Sequence, residues 1–245
     1  MRFSYFLIRL RRRVLIPIVK VIAPSQNEFA LMRFIGDINL MKYIGRERLS
    51  PIALFELDGW NEVLHKDLSL SEQDVVCVFG GYLGDSIHEY RSRYDAKVVG
   101  LEPVSAFRKV LEDRFNEDTY VSILDVGVSD RTESLVIDYS DDETSFYRKG
   151  PNSETIHCVD VVDLLDSFEQ MPKVLEINIE GVEFRVLDRL LNSVHANSVQ
   201  TLIIQFHTFV EDSDLLRAQI RKRLGKNYRE VFCYPFVWER WDLKL

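Results

Sequence analysis

Cysteine is scarce in this chain of 245 residues: there are three, Cys77, Cys158 and Cys233, widely separated and in no CxxC pair. That excludes a disulfide framework and a cysteine-based zinc site, and makes a reducing compartment the default expectation. Long apolar runs are missing as well, and no uninterrupted stretch approaches the roughly 20 residues of a spanning helix. Positive charge is not in excess, with 31 Lys and Arg against 39 Asp and Glu and a net charge of −8. Binding phosphates takes a concentrated basic face, so nucleic acid is not expected as a partner. Three motifs are also absent. The first glycine loop lacks the i, i+2, i+5 spacing of a dinucleotide fingerprint, no Gly-Lys-Ser/Thr follows it, and no G-x-S-x-G elbow occurs.

What is present describes a folded body with a basic head. Hydrophobic residues make up 46% and charged residues 29%, which excludes disordered, collagen-like and low-complexity classes. A domain of this size buries about three quarters of the surface its unfolded chain exposes and needs no staple. Arg2, Arg9, Arg11, Arg12, Arg13 and Lys20 precede the first acid, Glu28, leaving the rest of the chain at −14 (25 against 39). At helical spacing Phe3, Leu7, Leu10 and Val14 share one face, Arg2, Arg9 and Arg13 the other, until Pro17. Two readings stay open. Residues 1–22 form either a basic helix lying on an anionic membrane surface or a solvated helix packing its stripe on the domain. A transit peptide is a third reading for a eukaryotic source. Lys20 interrupts any signal-peptide core, so a cytoplasmic location is expected, with membrane contact peripheral.

The chain divides into the basic segment 1–24, a helical lead-in over 25–73 and an α/β domain over 74–245. Breaks at Gly36, Gly45, Pro51 and Gly59 give the lead-in two or three short helices. From Val75 the pattern alternates. Strands over Val75–Phe79, Lys97–Leu101 and Tyr120–Leu124 enclose helices beginning near Asp85 and over Ala106–Phe115. Shorter strands at Ser134–Tyr139 and Thr155–Val159 flank an acidic loop with Asp141, Asp142 and Glu143. Val174–Ile179 and Thr201–Phe206 are further core strands, with helices over Glu183–Leu191 and Asp212–Leu224 and two aromatic-rich strands turning near Pro235. Such alternation implies a doubly wound, mostly parallel sheet.

In open α/β sheets ligands collect at the carboxyl ends of the strands. The first such loop, Gly80-Gly81-Tyr82-Leu83-Gly84, has spacing that lets backbone approach a ligand without a pyrophosphate, although glycine turns between strand and helix are common. The second strand ends in Glu102, whose carboxylate can accept from both hydroxyls of a ribose. At the third, Asp125 can meet an adenine amino group. Glu180-Gly181 closes the fourth strand, as a site residue or as a cap of the next helix. His207 follows the apolar run Leu202-Ile203-Ile204, and a neutral imidazole there can take a proton from an attacking hydroxyl. Glu180, Glu183 and His207 could supply oxygen and nitrogen ligands, but no spacing demands a metal, and none is expected. Tyr234, Phe236, Trp238 and Trp241 could stack on a substrate or fill the core of the terminal hairpin.

Over roughly residues 70–210 the chain resembles the FkbM-type S-adenosylmethionine-dependent methyltransferases. The D-x-G-A-N-x-G pattern of that family corresponds to Val78-Phe79-Gly80-Gly81-Tyr82-Leu83-Gly84, its E-P to Glu102-Pro103, its D-V-E-G-x-E to Asn178-Ile179-Glu180-Gly181-Val182-Glu183, and its E-x-H to Gln205-Phe206-His207. The resemblance implies a Rossmann-like class I methyltransferase fold with a seven-stranded sheet. It also implies S-adenosylmethionine held by Gly80, Gly81, Gly84, Glu102, Asp125 and Asn178, and O-methyl transfer to a sugar, glycan or secondary metabolite, with His207 and Glu180 as catalytic residues. Val78, Glu176, Asn178 and Gln205 depart from the family pattern. They motivate the alternative of a degenerate member serving as a ligand-binding or membrane-associated interaction module.

Overall fold

The computed structural model describes residues 50–139, 144–145 and 152–244. The basic segment, the acidic loop of Asp141, Asp142 and Glu143, and the first half of the lead-in lie outside them. The chain divides between Val63 and Leu64 into two compact units. In the first, Ser50 caps helix α1 (Pro51–Asp58), its Oγ accepting from Ala53 N at 3.4 Å. Pro51 opens the helix, where its missing N–H costs nothing, and Gly59 ends it at φ +82°. Helix α2 (Trp60–Leu64) follows.

The second unit is built on a seven-stranded sheet. Along the chain come β1 (Val75–Phe79), α3 (Asp85–Tyr94), β2 (Lys97–Leu101), α4 (Ser105–Phe115) and β3 (Val121–Leu124). A second sheet is then inserted, with β4 (Gly127–Ser129), β5 (Glu133–Tyr139), β6 (Thr144–Ser145) and β7 (Asn152–Asp160). Helix α5 (Val161–Asp166), β8 (Val174–Ile177), α6 (Glu183–Leu191), β9 (Thr201–Ile204), α7 (Ser213–Asn227), β10 (Tyr228–Tyr234) and β11 (Trp238–Leu243) complete it. The main sheet runs β10-β11-β9-β8-β1-β2-β3, parallel except where β11 pairs antiparallel with β9 and β10. This is the doubly wound, mostly parallel seven-stranded sheet expected from the sequence. Central β1 is buried at all five positions, as an apolar run covered on both faces must be. Phe79, Leu175, Ile177 and Leu202 share one core with Leu187 and Leu190 of α6 and Leu224 of α7. Ile87 of α3 lies over Gly100 of β2. Trp241 is buried in the first of these cores, so for it the hairpin-core reading is the correct one.

Two departures from the sequence reading matter for the site. The segments expected as a pair of short strands form a separate four-stranded sheet, β4-β7-β5-β6. Strand β4 has three residues, too few to carry a period, and the six-residue α5 was equally invisible. Strands β8 and β9 also stop two residues earlier than expected, at Ile177 and Ile204, and the residues beyond them leave the sheet.

Two ion networks are built into the core. Glu176 of β8 is 2% exposed and accepts from His65 Nε2 (2.9 Å), Tyr90 Oη (2.7 Å) and Ser86 Oγ. Burial pushes its pKa up, but attraction and a hydrogen bond from His65, with those from Ser86 and Tyr90, more than offset this and hold it below the usual carboxylate range. Glu239 of β11, 1% exposed, is bracketed by Arg217 and Arg221 of α7. In both cases removal of the carboxylate would leave its buried donors without their acceptor.

Candidate functional site

The carboxyl ends of β1, β2 and β8 and one face of the inserted sheet surround a pocket of about 460 Å³, its open mouth included. The strand ends contribute Gly80, Glu102, Asn178 and Glu180. The inserted sheet contributes an apolar wall of Val128, Ile137, Ile156 and Cys158.

Each polar member is held by identifiable contacts. The chain leaving β1 swings toward β2, with Gly80 N and Gly81 N both donating to Leu101 O at 3.0 and 2.9 Å. Gly80 has φ +87°, and a Cβ on it would overlap the backbone carbonyl oxygen of Asn178, so only glycine fits. Glu102 is 4% exposed. Its Oε2 accepts from Tyr82 N at 2.8 Å and its Oε1 from Val104 N at 3.0 Å. Burial raises its pKa from 4.5 to about 7 despite those two amides and the Arg108 charge nearby. Asn178 Oδ1 is buried with no hydrogen-bond partner; among the described residues only one other buried side-chain polar atom, His65 Nδ1, shares that condition. A buried acceptor without a donor costs free energy, and Asn178 is one of the residues lining the pocket.

Glu180 joins the pocket to a second cluster. It stands at φ +53°, beside Gly181 at φ +98°, where the chain turns from β8 into α6. Its Oε1 lies 3.6 Å from His207 Nε2. On the other side of the ring, Glu183 Oε1 accepts from His207 N at 2.9 Å and lies 3.2 Å from Nδ1, while Glu183 Oε2 accepts from Gly181 N at 2.7 Å. Glu183 is fully buried. The sequence marked it as the start of a helix and as a conceivable metal ligand, but not as the partner of His207. The signal was its place at the first turn of α6, on the same face as buried Val186, Leu187 and Leu190.

The other expected positions lie elsewhere. Gly81 and Gly84 are not in the pocket wall. Added Cβ atoms there would meet Leu111, and at Gly84 also Phe115, so those glycines serve the packing of α4 on the loop. Asp125 is also outside the wall, exposed and paired with Arg108. The strand end brings Asp125 within reach of a guanidinium on α4, and that nearer charge captures it. Of the groups that could hold a metal, the set that converges among the described residues is Glu230, Cys233 and Glu239. Two guanidinium groups already lie on it, since Arg217 and Arg221 both donate to Cys233 Sγ and to Glu239.

No protein-family model matches the sequence, and no curated protein matches it. Solved structures do. An rRNA methylase from Streptococcus thermophilus has a TM-score of 0.48 at 8% identity, over 81% of this chain and 99% of that one. A precorrin-6y C5,15-methyltransferase from Geobacter metallireducens GS-15 has a TM-score of 0.45 at 12% identity, over 78% and 88%. Aeropyrum pernix fibrillarin, in complex with natively bound S-adenosyl-L-methionine, has a TM-score of 0.44 at 8% identity, over 73% and 70%. At such identities likeness bears on architecture and not on acceptor. By its strand order, with an antiparallel strand set second from one edge, the chain has a Rossmann-like, doubly wound α/β fold.

Proposed function

We propose that this chain is an S-adenosylmethionine-dependent O-methyltransferase of FkbM type, acting on a hydroxyl of a glycan or secondary metabolite. The observation that carries the reading is the convergence of buried Glu102, Asn178 and Glu180 on one pocket at the carboxyl edge of the sheet. The donor set fits the cofactor. A carboxylate can accept about four hydrogen bonds, and two backbone amides leave Glu102 the capacity for two ribose hydroxyls. Asn178 Oδ1 offers an acceptor to an amino group, and Glu180 offers negative charge to a cationic donor. When bound, the cofactor supplies a methyl group already activated on a sulfonium.

The residues of the chain then have to orient the acceptor, exclude water and hold the released proton. Val128, Ile137, Ile156 and Cys158 make the wall that keeps water out. His207 takes the hydroxyl proton, beside Glu180, the residue common to the pocket and the His207 cluster. The departures at Glu176 and Asn178 do not remove this machinery: Glu176 is committed to His65, Tyr90 and Ser86, and Asn178 keeps an acceptor oxygen in the pocket.

Net charge does not by itself remove nucleic acid from the acceptor list, because a fold-mate of this chain is named an rRNA methylase. The test is calorimetry with the methyl donor and its demethylated product, followed by turnover on hydroxylated glycans, secondary metabolites and an RNA. Donor binding with transfer to a glycan or metabolite is the expected result. Binding without any transfer would favour the degenerate module, and transfer to RNA alone would replace the acceptor class. His207→Ala, at saturating donor, should lower the transfer rate about 100-fold with donor affinity unchanged; a rate within a few-fold of the parent removes His207 from the mechanism. The protein belongs in the cytoplasm on this reading, with residues 1–22 in peripheral contact with anionic membrane.

A further inference from the structure

We propose that Glu183 is the positioning residue of the site, fixing His207 as the Nδ1–H tautomer so that Nε2 is the nitrogen that receives the proton. The proposal rests on the methyl-transfer reading for its chemistry but on geometry for its content. An ionised carboxylate only accepts hydrogen bonds, so an imidazole nitrogen 3.2 Å from Glu183 Oε1 must carry the hydrogen when the ring is neutral. The same oxygen accepts from His207 N at 2.9 Å, which ties the backbone and the ring of His207 to one atom. The second oxygen holds Gly181 N at 2.7 Å, the residue after Glu180. One fully buried carboxylate therefore sets both the ring and the turn that carries the other acid of the cluster. Nε2 is left on the side of Glu180, 3.6 Å from its Oε1, and Glu180 lines the pocket.

The step balances without a further reactant. The acceptor oxygen bonds the methyl carbon, the carbon–sulfur bond breaks onto sulfur, and the hydroxyl proton passes to Nε2. The imidazolium so formed lies between Glu183 and Glu180, and its proton leaves to water after product departs. The ring also packs on Phe209, with centroids 5.0 Å apart, and carries the Glu183 and Glu180 carboxylates on its two nitrogens' sides.

The experiment is nitrogen-detected NMR of the His207 ring in the ¹⁵N-labelled full chain across pH, the signal assigned by its loss in His207→Gln. The unmodified protein should show the Nδ1–H pattern once neutral; an Nε2–H pattern overturns the proposal with no variant needed. Glu183→Gln should mix the tautomers and lower the midpoint of ring protonation by about one pH unit, and Glu183→Asp should restore both in part. A tautomer and midpoint unmoved by Glu183→Gln would overturn the proposal too. In turnover, Glu183→Gln should lower kcat at least tenfold with donor affinity unchanged. Donor binding, measured separately by calorimetry, tells a failure of the methyl-transfer reading from a failure of the pair.

Discussion

Glu102, largely buried, ionises against the cost of desolvation with two backbone amides and the Arg108 charge in its favour. Because its folded pKa, about 7, stands above the ordinary 4.5, the folded protein binds this proton more tightly than the unfolded chain. Stability from this residue is therefore complete below about pH 4.5 and falls as pH rises toward 7. Ribose hydroxyls favour the ionised acceptor, so donor affinity should move the other way and improve from pH 6 to 8. Glu102→Gln should flatten both slopes, read by chemical denaturation and calorimetry, and Glu102→Ala should weaken donor binding by about 1–3 kcal/mol. Slopes that stay parallel would place the ionisation elsewhere. Glu176 carries the opposite sign. Its pKa is held below the usual range, so its contribution is present above the ordinary 4.5 and lost as the pH falls through its depressed folded value. Glu176→Gln at neutral pH should cost about 3–5 kcal/mol in urea denaturation, the range for breaking a buried pair.

Strand ends decide which elements can carry chemistry here, and the β1–α3 loop is the most constrained of them. Gly80→Ala combines a left-handed backbone, costing about 1–2 kcal/mol, with an overlap on the Asn178 carbonyl, costing about 1–3 kcal/mol. The melting temperature should fall by roughly 5–20 °C. Gly225→Ala, in α7 with nothing near its added Cβ, should instead leave it unchanged or raise it. The main sheet could be read from the sequence because its strands are apolar runs punctuated by glycine and proline: β1 and β2 have the expected bounds, and so does α6. In the candidate pocket the sequence picked out Gly80, Glu102, Asn178 and Glu180, and in the cluster beside it His207, all residues that follow the strands. The pocket was not legible at Val128, Ile137, Ile156 and Cys158, which reach it because β4 and β5 both pair with β7 across gaps of sequence. Nor did sequence separate Asp125 from the site, since Arg108 lies 17 residues away along the chain and beside it in space.

For the molecule as a whole, charge is partitioned along the chain: six positive charges precede Glu28 and the remainder carries −14. Deleting residues 1–22 should abolish sedimentation with anionic vesicles and leave donor affinity alone, and binding of the full chain should weaken as salt rises. Vesicle binding indifferent to salt would contradict an electrostatic anchor. The pocket itself draws on two sheets that share no strand, one supplying the polar floor and the other the apolar wall. Each sheet can breathe without breaking the hydrogen-bond ladder of its neighbour, and a ligand touching both would couple those openings. Amide exchange along β5 and β7 would then slow on donor binding even at residues that touch no ligand, so that the inserted sheet reports occupancy at a distance from the chemistry.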